Sequence, residues 1–358
     1  MDAHEEQVRL IDADGNLLAH PTYKVDLDDD GLRRLYTQLV VVRRLDTEGT
    51  NLQRQGQLGI WAPLTGQEAA QIGAATALRP HDFAFPSYRE HGIAYVRGLD
   101  PLAVFGLYRG QAHSGWDPHE HGIAPYSIPI GTQALHAVGW ALGARWEGTD
   151  AVALACFGDG ATSEGDTLEA FNFAAVQNAP VVFLCQNNQW AISVPISKQM
   201  AAPPWRRAAG FGMHGVQVDG NDVLACYAVT QGAVARAAEG GGPTLIEAVT
   251  YRLGAHTTTD DPTRYRSADE VEAWTAREPI ARYRCFLERA GLWDPGFEAE
   301  VQDEADRVAG RIRSEVIAMT APPLTDLMEH VYAEPPATLV RQFERLQAFE
   351  AGFERGEG

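Results

Sequence analysis

Asp159, Asn188 and His256 each follow a short apolar run of the sequence, and their side chains could do chemistry. A carboxylate and an amide oxygen are hard ligands of the kind that Mg²⁺ prefers. If the apolar runs are parallel strands, their carboxyl ends meet at one edge of a sheet, where open α/β sheets bind ligands. The pattern therefore predicts a divalent-cation site with an imidazole beside it.

Glycines flank the candidate carboxylate. Gly158 and Gly160 leave room for backbone amides to approach a phosphate closely. The helix predicted to follow them directs its unpaired N–H groups toward the same place. Asp-Gly turns and Asn-Asn loop ends are each common structural features, but their combination at successive strand ends favours a site for a diphosphate that a divalent metal bridges.

The elements that must position these groups alternate between strands and helices. Buried strands are predicted at 151–156, 180–185, 216–218 and 244–252. The segment 163–177 predicts a helix that opens with a capping box formed by Ser163 and Asp166. This alternation predicts an α/β fold with a parallel sheet and helices on both faces.

The sequence divides into three regions. Residues 1–30 are interpreted as an N-terminal extension with a short hairpin at Asp14-Gly15, residues 31–278 as the diphosphate-binding α/β domain, and residues 279–358 as a C-terminal helical appendage. Further helices are predicted at 32–55, 66–78 and 132–146, and a loop at 110–130.

The composition excludes several classes of protein. The chain has 358 residues, with 29 Lys and Arg against 48 Asp and Glu, for a formal net charge of −19. This acidity argues against a nucleic-acid-binding protein, which needs a basic surface, and against a polybasic membrane-surface protein. The phosphate-loop, GxSxG and HExxH motifs are absent from the sequence.

Targeting signals are also absent from the sequence. It contains no apolar run of about 18 residues that could span a membrane, and the acidic N-terminus lacks the features of a signal peptide. The four cysteines lie far apart and form no CxxC pair, which is typical of reduced thiols. We therefore expect a cytoplasmic protein.

Several separated motifs resemble one known family. The sequence GDG is followed after 26 residues by NN, within FGDGATSEGDTLEAFNFAAVQNAPVVFLCQNNQWAIS, and the chain also contains PSYREHG, VDGNDVLACYA and LGAHTTTDDPTRYRS. In order and text these motifs resemble the alpha subunit of the E1 component of 2-oxo acid dehydrogenase complexes, over about residues 30–295. The resemblance implies the thiamine diphosphate-binding fold, with thiamine diphosphate and Mg²⁺ as cofactors.

The resemblance also implies roles for individual residues. The magnesium ligands would be Asp159, the side-chain oxygen of Asn188 and the backbone carbonyl of Trp190. Backbone groups of Gly158, Gly160 and Ala161 would contact the diphosphate.

Further roles fall on residues outside the GDG motif. Tyr88 and Arg89 match the family's Tyr-Arg pair, in which the arginine offers a planar donor fork to phosphate. Ile128 and Ile130 match the segment that holds the aminopyrimidine ring. His256 matches a loop histidine near the diphosphate and the substrate; we expect it to be partly exposed, with a pKa near neutral, and to stabilise charge or pass a proton, although it could simply order its loop.

One position departs from part of the family. Gln186 stands where some branched-chain relatives have an arginine, so Arg89 and His256 would carry more of the phosphate charge. Thr257 and Thr259 lie in a loop that is phosphorylated in animal relatives, and regulation by a kinase is not carried over to this chain.

The chain is expected to need a partner. It contains no evident second α/β domain to activate the aminopyrimidine, and the resemblance implies that a beta subunit supplies that half, with active sites at the subunit interfaces of an α2β2 heterotetramer. The cofactor would carry the decarboxylation of a small 2-oxo acid. The acyl group would then pass to the lipoyl domain of the acyltransferase component.

The substrate stays open between a branched-chain 2-oxo acid and pyruvate, which differ in apolar volume. Trp61, Ile128 and Ile130 are candidates for the acyl pocket, although Trp61 could equally belong to the core. Two alternatives are the alpha subunit of an acetoin dehydrogenase and a non-catalytic subunit that only assembles a complex.

Overall fold

A five-stranded parallel sheet forms the centre of the fold in the computed structural model, which describes residues 7–111, 115–329 and 331–354. The strands in chain order are β1 (Phe83–Phe85), β2 (Ala153–Gly158), β3 (Val181–Asn187), β4 (Trp190–Ala191), β5 (Val194–Pro195), β6 (His214–Asp219) and β7 (Thr244–Val249). The sheet has the order β1-β2-β3-β7-β6, and every pair in it is parallel. The short strands β4 and β5 form a separate antiparallel pair.

Helices account for most of the remaining regular structure. They are α1 (Asp29–Arg54), α2 (Glu68–Thr76), α3 (His91–Val96), α4 (Pro101–Arg109), α5 (Pro118–His121), α6 (Thr132–Trp146), α7 (Gly165–Gln177), α8 (Ile196–Gln199), α9 (Pro204–Gly210), α10 (Val223–Ala238), α11 (Ala268–Thr275), α12 (Pro279–Arg289), α13 (Pro295–Ala318), α14 (Asp326–Glu329) and α15 (Ala337–Glu354). Two 3₁₀ turns occur at Asp159–Ser163 and Pro262–Arg264.

Helices cover both faces of the sheet. Ala153, Ala155 and Phe157 of β2 are buried in a cluster with residues of α6 and α7. The alternate residues Leu154 and Cys156 are buried as well, and since side chains alternate across a strand they point to the opposite face, where α10 packs on β3, β6 and β7 and α2 packs on α10. The predicted α/β class, with a parallel sheet between helices, is confirmed.

The carboxyl ends of four adjacent strands deliver polar residues to one edge of the sheet. Asp159 follows β2 and Asn188 follows β3, as predicted. The three-residue strand β1, which is too short to give a periodic signal in the sequence, delivers Tyr88 and Arg89 to the same edge.

Two details of the predicted elements are wrong. Helix α7 begins at Gly165 after Glu164 and has no side-chain cap, because Ser163 belongs to the 3₁₀ turn that precedes it; there is no capping box. Strand β7 ends at Val249, so Arg252 lies beyond the strand, in the loop.

The N-terminal segment is tied to the edge of the sheet. Residues Ile11 and Leu17 pair across the predicted hairpin, and Val8 forms a parallel bridge with Val218 of β6. The buried carboxylate of Asp222 accepts hydrogen bonds from the backbone N–H groups of Leu10 and Ile11, at 2.7 and 2.6 Å. The backbone of Val8 exchanges hydrogen bonds with Gln217 and Asp219, and these two bonds cover part of the otherwise unpaired edge of β6.

The chain divides into two compact units, Met1–Ile317 and Ala318–Gly358. The first unit holds the sheet, and the second holds α14 and α15. The three sequence regions 1–30, 31–278 and 279–358 remain a prediction. Within the described ranges, no helix is both long and apolar enough to cross a membrane.

Candidate active site

A cleft of about 450 Å³ opens at the carboxyl edge of the sheet. All of the residues predicted for the site line it: Tyr88, Arg89, Ile128, Ile130, Gly158, Asp159, Gly160, Ala161, Asn188, Trp190 and His256. The structure therefore brings together side chains that are spread over about half of the sequence.

Asp159 supplies a buried carboxylate to the cleft. Only 1% of the residue is exposed, and its Oδ2 accepts a hydrogen bond of 2.6 Å from Nε2 of Gln199. Burial raises the pKa of Asp159 to about 6, while the hydrogen bond from Gln199 and a weaker one from the backbone of Asn188 act to lower it. Within the described residues Asp159 forms no salt bridge, so its charge is open to a cation from outside the protein.

Asn188 turns its side-chain oxygen toward the same region. Its Nδ2 donates to Oε1 of Gln67 at 3.0 Å, and its Oδ1 accepts from the backbone N–H of Trp190 at 3.2 Å. The carbonyl oxygen of Trp190, the third predicted ligand, accepts a hydrogen bond of 3.2 Å from Nη1 of Arg252. The three predicted oxygen donors all belong to residues that line the cleft, and oxygen ligands suit a hard cation.

The two glycines of the GDG sequence have different surroundings. A Cβ atom at Gly158 would meet only the carbonyl oxygen of Gln186, at 4.0 Å, so the backbone there faces open space in the cleft. A Cβ atom at Gly160 would lie 2.8 Å from the Cβ of Ala191. Gly158 leaves a cradle for a ligand, whereas Gly160 is required by the close approach of the β4 strand.

Arg89 brings a cation to the opposite side of the cleft. Its guanidinium donates to the carbonyl oxygens of Pro63 and His256 and contacts the imidazole Nδ1 of His256 at 3.3 Å. The guanidinium carbon lies 5.5 Å from the centre of the Tyr88 ring, a cation–π contact. The Tyr-Arg pair and the loop histidine therefore form one cluster.

His256 differs from expectation in its charge. Burial, followed by the nearby Arg89 and Arg252, lowers its pKa to about 4, so the predicted near-neutral pKa is wrong. Its Nδ1 faces donors from both arginines, at 3.3 and 3.4 Å, and must act as an acceptor. The proton of the neutral ring then lies on Nε2, which leaves His256 a hydrogen-bond donor at physiological pH.

Sequence reasoning missed Arg252 and Gln67. Arg252 is 1% exposed and donates to the carbonyl oxygens of Trp190 and Ile192 and to the hydroxyl of Tyr265. The sequence predicts Arg252 within the strand 244–252, whereas the strand ends at Val249. With the correct strand end, the rule that polar residues beyond strand ends form the site would have selected Arg252 as it selected Asp159. Gln67 carried no functional signal, because the sequence predicts it within the small-residue helix 66–78, whereas the helix begins at Glu68.

The segment 61–66 connects helix α1 to the cationic side of the cleft, which consists of Arg89, Arg252 and His256. Asp46, a buried residue of α1, accepts hydrogen bonds from the indole of Trp61, the backbone N–H of Leu64 and both the N–H and hydroxyl of Thr65. The same segment holds Arg89 through the carbonyl of Pro63. Asp46 therefore supports Arg89 without reaching the cleft.

The loop of His256 is held by the same segment. The backbone of Thr258 donates to the carbonyl of Trp61 at 2.9 Å, and its hydroxyl accepts from the backbone N–H of Trp61 at 3.1 Å. The cation Arg89 and the neutral imidazole of His256 thus depend on one short stretch of chain.

Trp61 lies in the core and does not line the cleft. It is 1% exposed, and its ring stacks on His91 with 4.4 Å between the ring centres. Of the two interpretations of this residue, the core position is the one that the structure supports.

Isoleucine side chains surround the opening of the cleft. Ile60, Ile128, Ile130 and Ile192 all line it and are between 40% and 60% exposed. Exposed aliphatic residues in one place are typical of a surface that another protein covers.

Gln186 occupies the position where an arginine would add a phosphate partner. Its Nε2 donates to the buried carboxylate of Glu90 at 2.7 Å, and its Oε1 accepts from Gln71 at 2.9 Å. Both ends of the Gln186 amide are therefore hydrogen-bonded within the protein. Arg252 adds a second guanidinium to the cleft.

The histidine-rich segment 113–121 lies only partly within the described residues. His119 and His121 lie in α5, and His113 falls outside the described residues. Residues 7–111, 115–329 and 331–354 contain no group of three His, Cys, Asp or Glu side chains arranged to hold a metal ion.

Comparisons with known proteins agree with the motifs. The family profile described as "Dehydrogenase E1 component" matches residues 36–324. The chain is 52% identical over 349 residues to the 3-methyl-2-oxobutanoate dehydrogenase subunit alpha of Mycobacterium tuberculosis (strain ATCC 25618 / H37Rv), covering 97% of this chain and 95% of the relative. It is 40% identical over 341 residues to the pyruvate dehydrogenase E1 component subunit alpha of Staphylococcus aureus (strain N315), covering 95% and 92% of the two chains. The corresponding protein of Bacillus cereus is 39% identical over 344 residues, covering 96% and 92%.

Proposed function

This chain belongs to the dehydrogenase E1 component family and is the alpha subunit of a 2-oxo acid dehydrogenase, and we propose that it uses thiamine diphosphate and Mg²⁺ in this cleft to decarboxylate a branched-chain 2-oxo acid. The family is thiamine diphosphate-dependent in general. The proposal rests above all on Asp159 and Asn188, two buried residues with side-chain oxygen atoms that line one cleft just beyond the ends of adjacent strands.

The residues of the cleft fit the two cofactors. Asp159, Asn188 and the carbonyl of Trp190 would hold Mg²⁺, since all three offer oxygen and one carries an uncompensated charge. The open space at Gly158 and the backbone groups of Gly160 and Ala161 would receive the diphosphate. Thiamine diphosphate, when bound, supplies the carbon nucleophile and the electron sink for decarboxylation.

The cationic side of the cleft has a different task. Arg89 and Arg252 carry positive charge beside the space that would hold an anion, and both are locked by hydrogen bonds to backbone carbonyls. His256 would donate a hydrogen bond from Nε2 to the substrate or to the acceptor of the acyl group. Because the ring is neutral, its role is to orient and stabilise negative charge rather than to titrate.

A beta subunit would complete the site. The name "alpha subunit" implies such a partner, and the four exposed isoleucines at the opening of the cleft offer it an apolar contact surface. We infer that the partner supplies the half that holds the aminopyrimidine, within an α2β2 heterotetramer. The acyl group would pass to the lipoyl domain of an acyltransferase component.

The branched-chain substrate is favoured by the relatives. Identity to the mycobacterial 3-methyl-2-oxobutanoate dehydrogenase subunit is 52%, against 40% and 39% for the two pyruvate dehydrogenase subunits. Ile128 and Ile130 line the cleft and could contact the acyl chain.

A binding experiment tests the cofactor assignment. The chain, co-purified with its beta subunit, is titrated with thiamine diphosphate by calorimetry with and without Mg²⁺. We expect binding to require Mg²⁺ and Asp159→Asn to weaken it by about 100-fold or more, because the charged ligand is lost. The control is Asp222→Asn, which alters an equally buried carboxylate that bonds the N-terminal segment.

The control should lose thermal stability and keep Mg²⁺-dependent binding. Equal binding by wild type and Asp159→Asn would overturn the metal assignment, and no cofactor binding by the assembled wild type would favour the assembly-only alternative.

A substrate panel tests the rest of the proposal. CO₂ release is measured with 3-methyl-2-oxobutanoate and pyruvate, and dye reduction is measured with these two and with acetoin, which has no carboxylate to lose. The proposal expects the highest kcat/KM for 3-methyl-2-oxobutanoate, while a preference for pyruvate or acetoin would assign the chain to one of the other two enzymes.

A further inference from the structure

Gln67 lies beside the proposed cation site and has no role in the account above. It immediately precedes helix α2, only 1% of it is exposed, and its side chain lines the cleft. The side chain does not cap the helix. Its hydrogen bonds must therefore be explained by what surrounds it in the cleft.

We propose that Gln67 is a positioning residue that sets the orientation of the Asn188 amide and offers a hydrogen bond to the anionic oxygen of the ligand. The inference rests on the proposed function, because it assumes that Asn188 gives its oxygen to a divalent cation.

The orientation of Asn188 follows from its two neighbours. Nδ2 of Asn188 donates to Oε1 of Gln67 at 3.0 Å, while Oδ1 accepts from the N–H of Trp190 at 3.2 Å. A flipped amide would set its NH₂ group against the Trp190 N–H and its oxygen against the Gln67 oxygen, and both contacts would be repulsive. The acceptor atom of Gln67 thus keeps the oxygen of Asn188, and not its nitrogen, available to a cation.

The other end of the Gln67 side chain is unused. Nε2 of Gln67 is buried and has no hydrogen-bond partner among the residues that the structure describes. A buried donor without a partner costs stability and calls for an explanation, such as an ordered water or a bound ligand. The amide cannot turn round to satisfy this donor, since its NH₂ group would then face the NH₂ group of Asn188. An anionic oxygen in the cleft is the acceptor that would satisfy it.

Three variants of the full chain, each co-purified with the beta subunit, test this role by calorimetry. Gln67→Met keeps the length of the side chain but removes both the acceptor and the donor. Gln67→Glu keeps an oxygen for Asn188 and removes the amide donor. The control Gln71→Leu alters another buried amide, which bonds Gly92, Gln186 and the backbone carbonyl of Arg89 but not Asn188.

The measured quantities are the Mg²⁺ concentration for half-saturation and the dissociation constant of thiamine diphosphate at saturating Mg²⁺. Gln67→Met is expected to raise the Mg²⁺ requirement by about tenfold or more, as the loss of residues that orient metal ligands does. Gln67→Glu should keep it within about threefold of wild type, yet bind thiamine diphosphate more weakly. Gln71→Leu should lower the unfolding temperature and leave the Mg²⁺ requirement unchanged.

A wild-type Mg²⁺ requirement in Gln67→Met overturns the proposal, and an equal rise in Gln67→Met and Gln67→Glu overturns the role of the acceptor atom. If Gln67→Met does not fold, Gln67→Ser replaces it with the same expected rise, because serine is too short to reach Asn188. Failure of the wild type to bind thiamine diphosphate with Mg²⁺ would instead count against the proposed function.

Discussion

The two sides of the cleft are built on different foundations. The acidic side, with Asp159 and Asn188, grows directly out of the ends of β2 and β3 and is fixed by the register of the sheet. The cationic side, with Arg89, Arg252 and His256, consists of loop residues that hydrogen bonds to backbone carbonyls hold in place. The cation-binding and anion-binding tasks should therefore respond to different mutations.

Burial acts on the two sides in opposite directions. It raises the pKa of Asp159 to about 6 and lowers that of His256 to about 4, so in both cases it disfavours the charged form. Two arginines add to the effect at His256. A dication would offset the buried negative charge of Asp159, and a diphosphate would offset the positive charge of the two arginines. One ligand that carries both groups would therefore match both clusters of the cleft.

Among the variants that compare the two sides of the cleft, one that alters Arg89 is expected to have the largest effect on binding. Arg89→Lys keeps the charge but loses the planar fork that reaches the carbonyls of Pro63 and His256. We expect thiamine diphosphate to bind about 30- to 100-fold more weakly, while the Mg²⁺ requirement of the remaining binding stays that of wild type. Calorimetric titrations at several Mg²⁺ concentrations measure both quantities. A changed Mg²⁺ requirement would show that the two sides are not independent.

A smaller effect is expected from Asp46→Asn, which acts on the cationic side from a distance. The variant replaces a carboxylate that accepts from Trp61, Leu64 and Thr65 with an amide whose NH₂ group faces other donors. We expect the free energy of unfolding to fall by about 2–3 kcal/mol and the affinity for thiamine diphosphate to fall by about tenfold. Denaturant unfolding and calorimetry measure the two losses.

The matched control for this variant is Asp82→Asn. Asp82 is as deeply buried and accepts hydrogen bonds from Arg79 and Val152, neither of which belongs to the segment 61–66. It should lose comparable stability and retain the wild-type affinity. If both variants lose affinity equally, Asp46 has no specific connection to the cleft.

The acidic side could be predicted from the sequence because few physical rules determine it. The apolar runs before Asp159 and Asn188 indicate buried parallel strands, and parallel strands deliver their ends to one edge. The same rule missed Arg252, since the strand was assigned three residues too many and the arginine was counted within it. The resemblance alone located Tyr88 and Arg89, because the strand before them has only three residues.

The cationic side required the tertiary structure. The contacts of Asp46 with the segment 61–66 join residues that no local pattern connects, so the position of Trp61 in the core stayed open. The pKa of His256 was predicted wrongly for the same reason: it depends first on burial and then on Arg89, which lies 167 residues away in the chain, and no local pattern shows either. Local patterns identify strand ends, whereas the protonation of a loop residue depends on its neighbours in space.

The smallest expected effect concerns pH and tests this charge. The pKa of His256 is about 4 in the folded chain against 6.5 for an ordinary histidine. Between these values the unfolded chain binds a proton that the folded chain does not, so acidification from pH 6.5 to 4.5 destabilises the fold. His256→Gln removes this contribution. We expect acidification over this range to lower the free energy of unfolding of the variant by about 1–2 kcal/mol less than it lowers that of wild type.

Denaturant unfolding at several pH values measures the difference, with His136→Gln as the control. His136 is an exposed histidine of α6, and its replacement controls for the loss of an imidazole outside the cleft. A pH dependence of His256→Gln identical to that of wild type would mean that the arginines and burial do not hold the ring neutral. The cationic side of the cleft would then contain a histidine able to take up a proton near neutral pH, and its task would include proton transfer as well as the orientation of an anion.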